Sequence, residues 1–341
     1  VEARRAQGPR DVTEATGAST PAATFAVLTA GLRALHGDDA WLAGWTAQTI
    51  TTHGQRGAVR YEILARVDEA PRLHRYRWVG KVYDRLEDGT RVAATLAALA
   101  AVRAGVRDGL HLPRLITYDA PHHVLLQSHE SGASLVTALA QHAGTVVRAL
   151  GRALAALHAA PVTLDSLTTP ADLLADARRR VDDLCLHVPD HAADLRRLLA
   201  DLEGRVPVAG PATPMFLHGD LGPTHLLWRT GTIVVLDVDR STNGDAALDL
   251  GHLLTQLQRL SARRPNELPA FAALRHDLLA AYQERAPHDA HLVRRVTWYQ
   301  QVVLVRKIHA LLSHTARHRD ADATRARRAE AIMLLERARL T

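Results

Sequence analysis

The hydrophobic pattern changes character twice along the chain. The opening segment VEARRAQGPRDVTEATGASTPA (1–22) is small, polar and charged and reads as a flexible tail. In ATFAVLTAGLRAL (23–35) the apolar residues then recur at helical spacing. From Trp45 to Gln127 the runs shorten and read as strands: TAQTITT, AVRYEILARV and RYRWVGKVY, then, after a long Ala/Leu helix over TRVAATLAALAAVRAG, RLITYD and HHVLLQ. Beyond Gly132 amphipathic helices are expected over 134–159, 171–185, 190–204, 246–261, 268–284, 289–315 and 322–339. One segment interrupts them. MFLHGDLGPTHLLWRTGTIVVLDVDR (215–240) reads as an apolar strand, a polar loop and two short strands joined around Thr230-Gly231. The pattern predicts an α+β chain with a tail (1–22), a β-rich part (23–130) and a helical part (131–341).

Composition narrows this further. Of 341 residues, 47% are hydrophobic but only 4% aromatic, so the core is built from Leu, Val and Ala, and an all-β fold is not expected. The single cysteine, Cys185, rules out a disulfide framework or a Cys-based zinc site within the chain and fits a reducing, cytoplasmic compartment. No apolar run approaches the roughly 18 to 20 residues that span a bilayer, so no membrane partner is expected. The net charge is +6, yet 40 of the 42 basic residues are Arg; the only lysines are Lys81 and Lys307. A lysine in such a chain needs a reason. Residues 251–341 carry 16 basic and 8 acidic residues, spread at helical periodicity with almost no aromatics between them. That describes a solvated helix face, and no nucleic-acid partner is expected.

The candidate chemistry lies in the interruption. His218-Gly219-Asp220-Leu221-Gly222-Pro223-Thr224-His225 sets a carboxylate in a Gly/Pro-rich loop, and Leu236-Asp237-Val238-Asp239 sets another at the end of a hydrophobic run. Both carboxylates would stand at the rim of a core, where a hydroxyl and a divalent cation can meet. With Gly244-Asp245-Ala246-Ala247-Leu248-Asp249-Leu250 following in order, the pattern resembles the aminoglycoside phosphotransferase and choline kinase family. GRALAALHAAPV (151–162) also resembles the helix that precedes its catalytic region.

The resemblance implies a bilobal protein-kinase-like fold, with a small β-rich N-lobe and a large, mostly helical C-lobe. It implies ATP and Mg²⁺, or Mn²⁺, as cofactors. Asp220 would be the catalytic carboxylate and Asp237 a metal ligand; His225, where the family carries a metal-binding asparagine, would be a weak ligand or stand behind one. Gly54 and Gly57 would cover the phosphates from Thr52-His53-Gly54-Gln55-Arg56-Gly57, which read alone is equally an ordinary hairpin turn. Lys81, in Val79-Gly80-Lys81-Val82-Tyr83, would hold the α- and β-phosphates. A chain that prefers Arg twenty to one keeps an ammonium there, as expected where a guanidinium cannot reproduce the geometry. Gln127 and His129 would belong to the hinge that meets the adenine edge. Asp249 is read as structural, bonding backbone around the loop, and Asp239 as local.

Two departures stand out: His225 itself, and the absence of any acid over 90–104, with Glu87 and Asp88 just before that helix. Three functions are therefore carried forward. The first is an ATP-dependent phosphotransferase acting on a hydroxyl of a small molecule or a peptide Ser/Thr. The second is a nucleotide-binding pseudokinase or scaffold working with a partner protein, for example in a lanthipeptide-type complex. The third is a metal-dependent hydrolase using His218, Asp220, His225 and Asp237, which leaves Lys81 and the glycines unexplained. The excess of positive charge over 251–341 predicts a neutral or acidic acceptor, an acidic precursor peptide included, rather than a polycationic one.

Overall fold

The computed structural model describes residues 20–53, 56–67, 72–102, 108–207, 214–315 and 321–338. They form two units, one made of the chain up to residue 101 together with 112–131, the other of 102–111 together with 132 onward.

In the first unit, Thr20 caps α1 (Pro21–His36), its hydroxyl accepting the Ala23 N–H at 3.2 Å. The end of the expected tail is thus the cap and first turn of a helix, while residues 1–19 lie outside the described residues. Val27, Leu28 and Leu32 on one face of α1 bury against Ile63, Trp78 and Leu126. With Leu42, these residues come from β1 (Trp41–His53), β2 (Arg56–Arg66), β3 (His74–Val82) and the strands that follow α2 (Leu86–Ala101). The chain passes through β4 (Leu110–His111), which belongs to the second unit, to β5 (Leu115–Asp119) and β6 (Val124–Ser128). The sheet order is β1-β2-β3-β6-β5, antiparallel throughout.

Two expectations are corrected here. β1 starts at Trp41 rather than after Trp45, because a register shift between Leu42 and Gly44 lets the strand continue through a break in alternation. The helix expected from residue 90 begins at Leu86, so Glu87 and Asp88 lie in its first turn, where carboxylates favour the helix dipole.

The second unit continues with β7 (Ala133–Ser134), α3 (Leu135–His158), α4 (Pro170–His187), α5 (Ala192–Gly204) and β8 (Met215–Leu217). After these come β9 (Leu226–Arg229), β10 (Thr232–Val235), β11 (Thr242–Gly244), α6 (Ala247–Arg263), α7 (Phe271–Gln283), α8 (Leu292–Thr315) and α9 (Ala321–Ala338). Each expected helix is present to within a few residues. The strands form a small sheet, β4-β10-β9-β7, and the pair β8/β11. Thr230 and Gly231 join β9 to β10 with φ of 37° and 84°, the positive values a two-residue hairpin turn requires.

Close helix packing sets this unit's frame. At Gly151 in α3 an added Cβ would lie 2.7 Å from Ala281 Cβ and 2.8 Å from the Leu278 carbonyl oxygen, so only hydrogen lets α3 and α7 approach so closely. Asp245 ties α6 to α8: it accepts the Ala247 N–H at 3.0 Å and Arg295 Nε at 2.7 Å, while Arg295 also pairs with Asp289. Burying this guanidinium is tolerable because two carboxylates satisfy it. No described helix is long and apolar enough to cross a membrane.

Candidate active site

The loop after β8 is held from behind by a buried carboxylate. Asp249, in the first turn of α6, accepts the backbone N–H of His218 at 2.7 Å on one oxygen and that of Gly219 at 2.9 Å on the other. His158, at the end of α3, lies 3.2 Å from Asp249 through Nε2 and 3.0 Å from the Tyr282 hydroxyl through Nδ1. Burial alone would raise the Asp249 pKa; the bonds and charges of His158 and His218 outweigh it and hold the carboxyl below its ordinary value. Burial pushes the Tyr282 phenol up, so it stays protonated and can donate to His158. Gly219 follows with φ of 80°, and a Cβ there would stand 2.0 Å from the Arg240 carbonyl oxygen. Glycine is required here.

His218 is fully buried, and burial pulls its pKa down despite the nearby Asp249. Its Nε2 lies 2.8 Å from the Leu236 carbonyl, and its Nδ1 takes the Asp220 N–H at 3.3 Å. A neutral ring with the proton on Nε2 satisfies both contacts. His218 is thus a brace between β10 and the loop, and the metal-ligand role considered for it has no free nitrogen.

Asp220 and Asp237 are brought to the same unit's surface. The Asp220 side chain is 52% exposed, with its Oδ1 3.7 Å from His252 Nδ1 of α6. Burial lowers the His252 pKa, the Asp220 charge opposing that shift. Asp237 adopts φ 65° and ψ 65°, a left-handed conformation rarely held by a residue with a side chain. His225 spends its Nδ1–H on the Asp220 carbonyl at 2.8 Å, which leaves Nε2 toward Asp237 Oδ2 at 3.7 Å. Its ring also stacks on His218, with centroids 5.5 Å apart. The donor set for a cation is therefore one carboxylate and one imidazole; among the described residues no cluster of three His, Cys, Asp or Glu adds to it. Two protein donors suit Mg²⁺, which keeps several waters and takes its remaining oxygens from substrate phosphates.

The nucleotide-binding candidates lie in the first unit. Lys81 is in β3, paired with Ala58 of β2 and Leu125 of β6. Gly57 is in the β2 ladder, opposite Thr52 and Val82, so it is not in the expected loop. Only residues 54 and 55 separate β1 from β2, and Gly54 lies outside the described residues. Gln127 is buried in β6 opposite Val79. His129 follows that strand and donates its backbone N–H to Arg77 O at 3.0 Å; burial, then Arg60 and Arg77, lower its side-chain pKa.

Beside Asp220 opens a cavity of about 330 Å³, lined by the loop, Arg240, His252 and Gln256 of α6, and Arg306 and Lys307 of α8. A larger one of about 550 Å³, around Phe271, Leu279 and Leu304, shares no lining residue with it. Size does not decide between them; adjacency to the candidate carboxylate, Asp220, does. Arg240, His252 and Arg306 carry no mark of the site in the sequence, since neither the end of a loop nor helical spacing reveals which segment meets a loop elsewhere in the chain. His158 was within reach, as a lone imidazole closing the apolar face of GRALAALH.

The model of the phosphotransferase enzyme family matches residues 62–293. A comparison with curated proteins gives no match. Among solved structures, a thermostable mutant of aminoglycoside phosphotransferase APH(4)-Ia, solved with ADP and hygromycin B, superposes with a TM-score of 0.57 at 13% identity, covering 87% of this chain and 94% of that one. The GDP complex of aminoglycoside 2'-phosphotransferase-IIIa gives 0.57 at 16%, over 92% and 98%. A choline/ethanolamine kinase family protein from Mesorhizobium loti gives 0.56 at 16%, over 93% and 99%. At such identities these superpositions establish the kinase-like fold.

Proposed function

The chain belongs to the phosphotransferase enzyme family and is an ATP-dependent phosphotransferase acting on hydroxyl groups; we propose that Asp220 and Asp237 are its working carboxylates, with Lys81 on the nucleotide. The acceptor oxygen attacks the γ-phosphorus, the bond from that phosphorus to the bridging oxygen of ADP breaks, and the hydroxyl proton passes to Asp220. Asp237, with His225 beside it, would hold Mg²⁺. The ion, when bound, supplies charge neutralisation for the phosphates. Lys81 would hold the α- and β-phosphates as a compact cation, Gly54 would lie over them, and Gln127 of β6 with His129 just after it would meet the adenine edge. With one cysteine and no disulfide framework, the chain suits the cytoplasm.

The observation that carries this reading is the bracing of the loop: Asp249 fixes the amides of His218 and Gly219 while Asp220, next in sequence, keeps its carboxylate exposed. Phosphoryl transfer depends mainly on positioning and charge, so a rigid backbone under one exposed carboxylate is what the reaction needs. The test is ATP turnover with and without EDTA, together with Asp220→Asn and Asp237→Asn. Asp220→Asn should lower kcat by about 10² to 10⁴ with Mg·ATP binding kept. Asp237→Asn should weaken the metal-dependent part of nucleotide binding in calorimetry. Nucleotide binding without turnover in the unaltered protein would instead favour the pseudokinase reading, for which His225 is the motivating departure.

A further inference from the structure

The second of the two lysines is unused by this mechanism. Lys307 lies on α8 with Arg306, and both line the cavity beside Asp220, with Arg240 from the segment after Asp237. Among the described residues no carboxylate is within ion-pair distance of the Lys307 ammonium. Burial lowers its pKa, the nearby Arg259 and Arg263 pulling the same way, while the charges of Glu330 and Asp220, beyond ion-pair distance, oppose the shift. Arg306 does have a carboxylate, Asp176, at 2.8 Å from its Nε, but Asp176 is shared with Arg180 at 2.8 Å and Arg179 at 3.2 Å. One negative charge among three guanidiniums leaves the neighbourhood positive. Asp220 is the only carboxylate in the lining, against Arg240, Arg306 and Lys307.

A half-buried ammonium with no carboxylate at ion-pair distance is costly in the free protein and binds tightly when an anion arrives to share its desolvated site. We propose that the acceptor is a small hydroxyl compound bearing an anionic group, a carboxylate or a phosphate ester, which Lys307, Arg306 and Arg240 seat so that its hydroxyl meets Asp220. The cavity's 330 Å³ is at the small end of ligand sites and fits a hydroxy acid or a sugar phosphate. The same cations repel a polyamine, whose ammonium groups would find one carboxylate and three positive charges. The inference rests on the phosphotransferase reading, since it takes Asp220 as the point where the hydroxyl must lie.

The test compares glycerate and glycerol 3-phosphate with glycerol, and ribose 5-phosphate with ribose, alongside kanamycin, by ADP release and by calorimetric titration of each compound with and without Mg·ATP. The expected result is that at least one anionic compound binds at least tenfold more tightly than its neutral counterpart. Lys307→Met should remove most of that difference, raising KM for any compound turned over more than it lowers kcat, and Lys307→Glu should reverse the order toward kanamycin. Arg240→Gln is a second variant, placed outside the helix core, should changes on α8 disturb folding. Preference for a carboxylate or for a phosphate ester separates the two anion sources. Kanamycin or the neutral compounds binding as well as every anionic one, or a preference untouched by both Lys307→Met and Arg240→Gln, would overturn the proposal. Failure of Mg·ATP to bind would count against the phosphotransferase reading alone, because the titrations without nucleotide still report on the cavity.

Discussion

The carboxylate of Asp249 stands 2.7 Å from the backbone nitrogen of His218, a residue 31 positions earlier, and both are buried. The loop that presents Asp220 is thus positioned by a helix that follows it in sequence. Asp249→Asn keeps the volume but turns an amide group toward N–H donors. It should cost about 2–3 kcal/mol of unfolding free energy, the worth of a hydrogen bond to a charged group. Denaturant melts measure this. A midpoint unchanged from the parent would mean the loop is held by something else.

The pH dependence of the loop follows from His218. Its pKa in the folded protein is lowered, first by burial, so the unfolded chain binds its proton more readily. The stability it contributes is complete above the ordinary imidazole value of about 6.5 and is lost as pH falls from there toward the depressed folded value. Protonation also ends the acceptance of the Asp220 N–H by Nδ1. Thermal melts from pH 8 to pH 5 should therefore show a decline that is shallower in His218→Gln. Parallel curves for the two proteins would contradict the assignment.

His225 should govern the choice of divalent ion. With Nδ1–H committed to the Asp220 carbonyl, the nitrogen toward Asp237 is a soft donor in a site otherwise made of oxygen. His225→Asn should keep or raise activity with Mg²⁺ and lower the ratio of Mn²⁺ to Mg²⁺ activity. Steady-state rates with each metal read this out, and an unchanged ratio would show that the ring only fills the loop.

Lys81→Met should lower kcat/KM for ATP at least about a hundredfold, the usual scale for removing one preorganised donor from developing charge. Lys81→Arg should also be poor, since the planar fork cannot replace a point cation in the β3 ladder. Circular dichroism should show both variants folded. Near-parental rates in both would remove Lys81 from the nucleotide site.

Most of the fold was legible in the chain because its signals are local. Strand alternation and helical spacing mark the β-rich part and each long helix, and Thr230-Gly231 marks its own turn. The departures have local causes as well: the irregularity at Gly44 hid the start of β1, and the acids at the start of α2 read as preceding it. HGDLGPTH and LDVD stood out because, with GDAALDL, they follow one another in the order that the family resemblance requires, each placing a carboxylate at the end of an apolar run. His158, Tyr282, Arg240 and Lys307 did not, since their meaning comes from which helices touch. Lys307 had only its rarity to mark it, and rarity says nothing of location.

Gly151 sits two helical turns before His158 on α3 and packs against Ala281, next to Tyr282 on α7. The spacing of this helix pair therefore sets the distance between the phenol and the imidazole, and through Asp249 the height of the loop's backbone. The pair works as the rear mount of the loop that carries Asp220. A methyl at position 151 would act like a shim under that mount: it must push α3 and α7 apart, at about 1–3 kcal/mol of overpacking, and would be felt at Asp220 as a fall in kcat. Such coupling makes the helical interior a route by which substitutions remote from every substrate can tune the rate, in either direction, without touching the cavity.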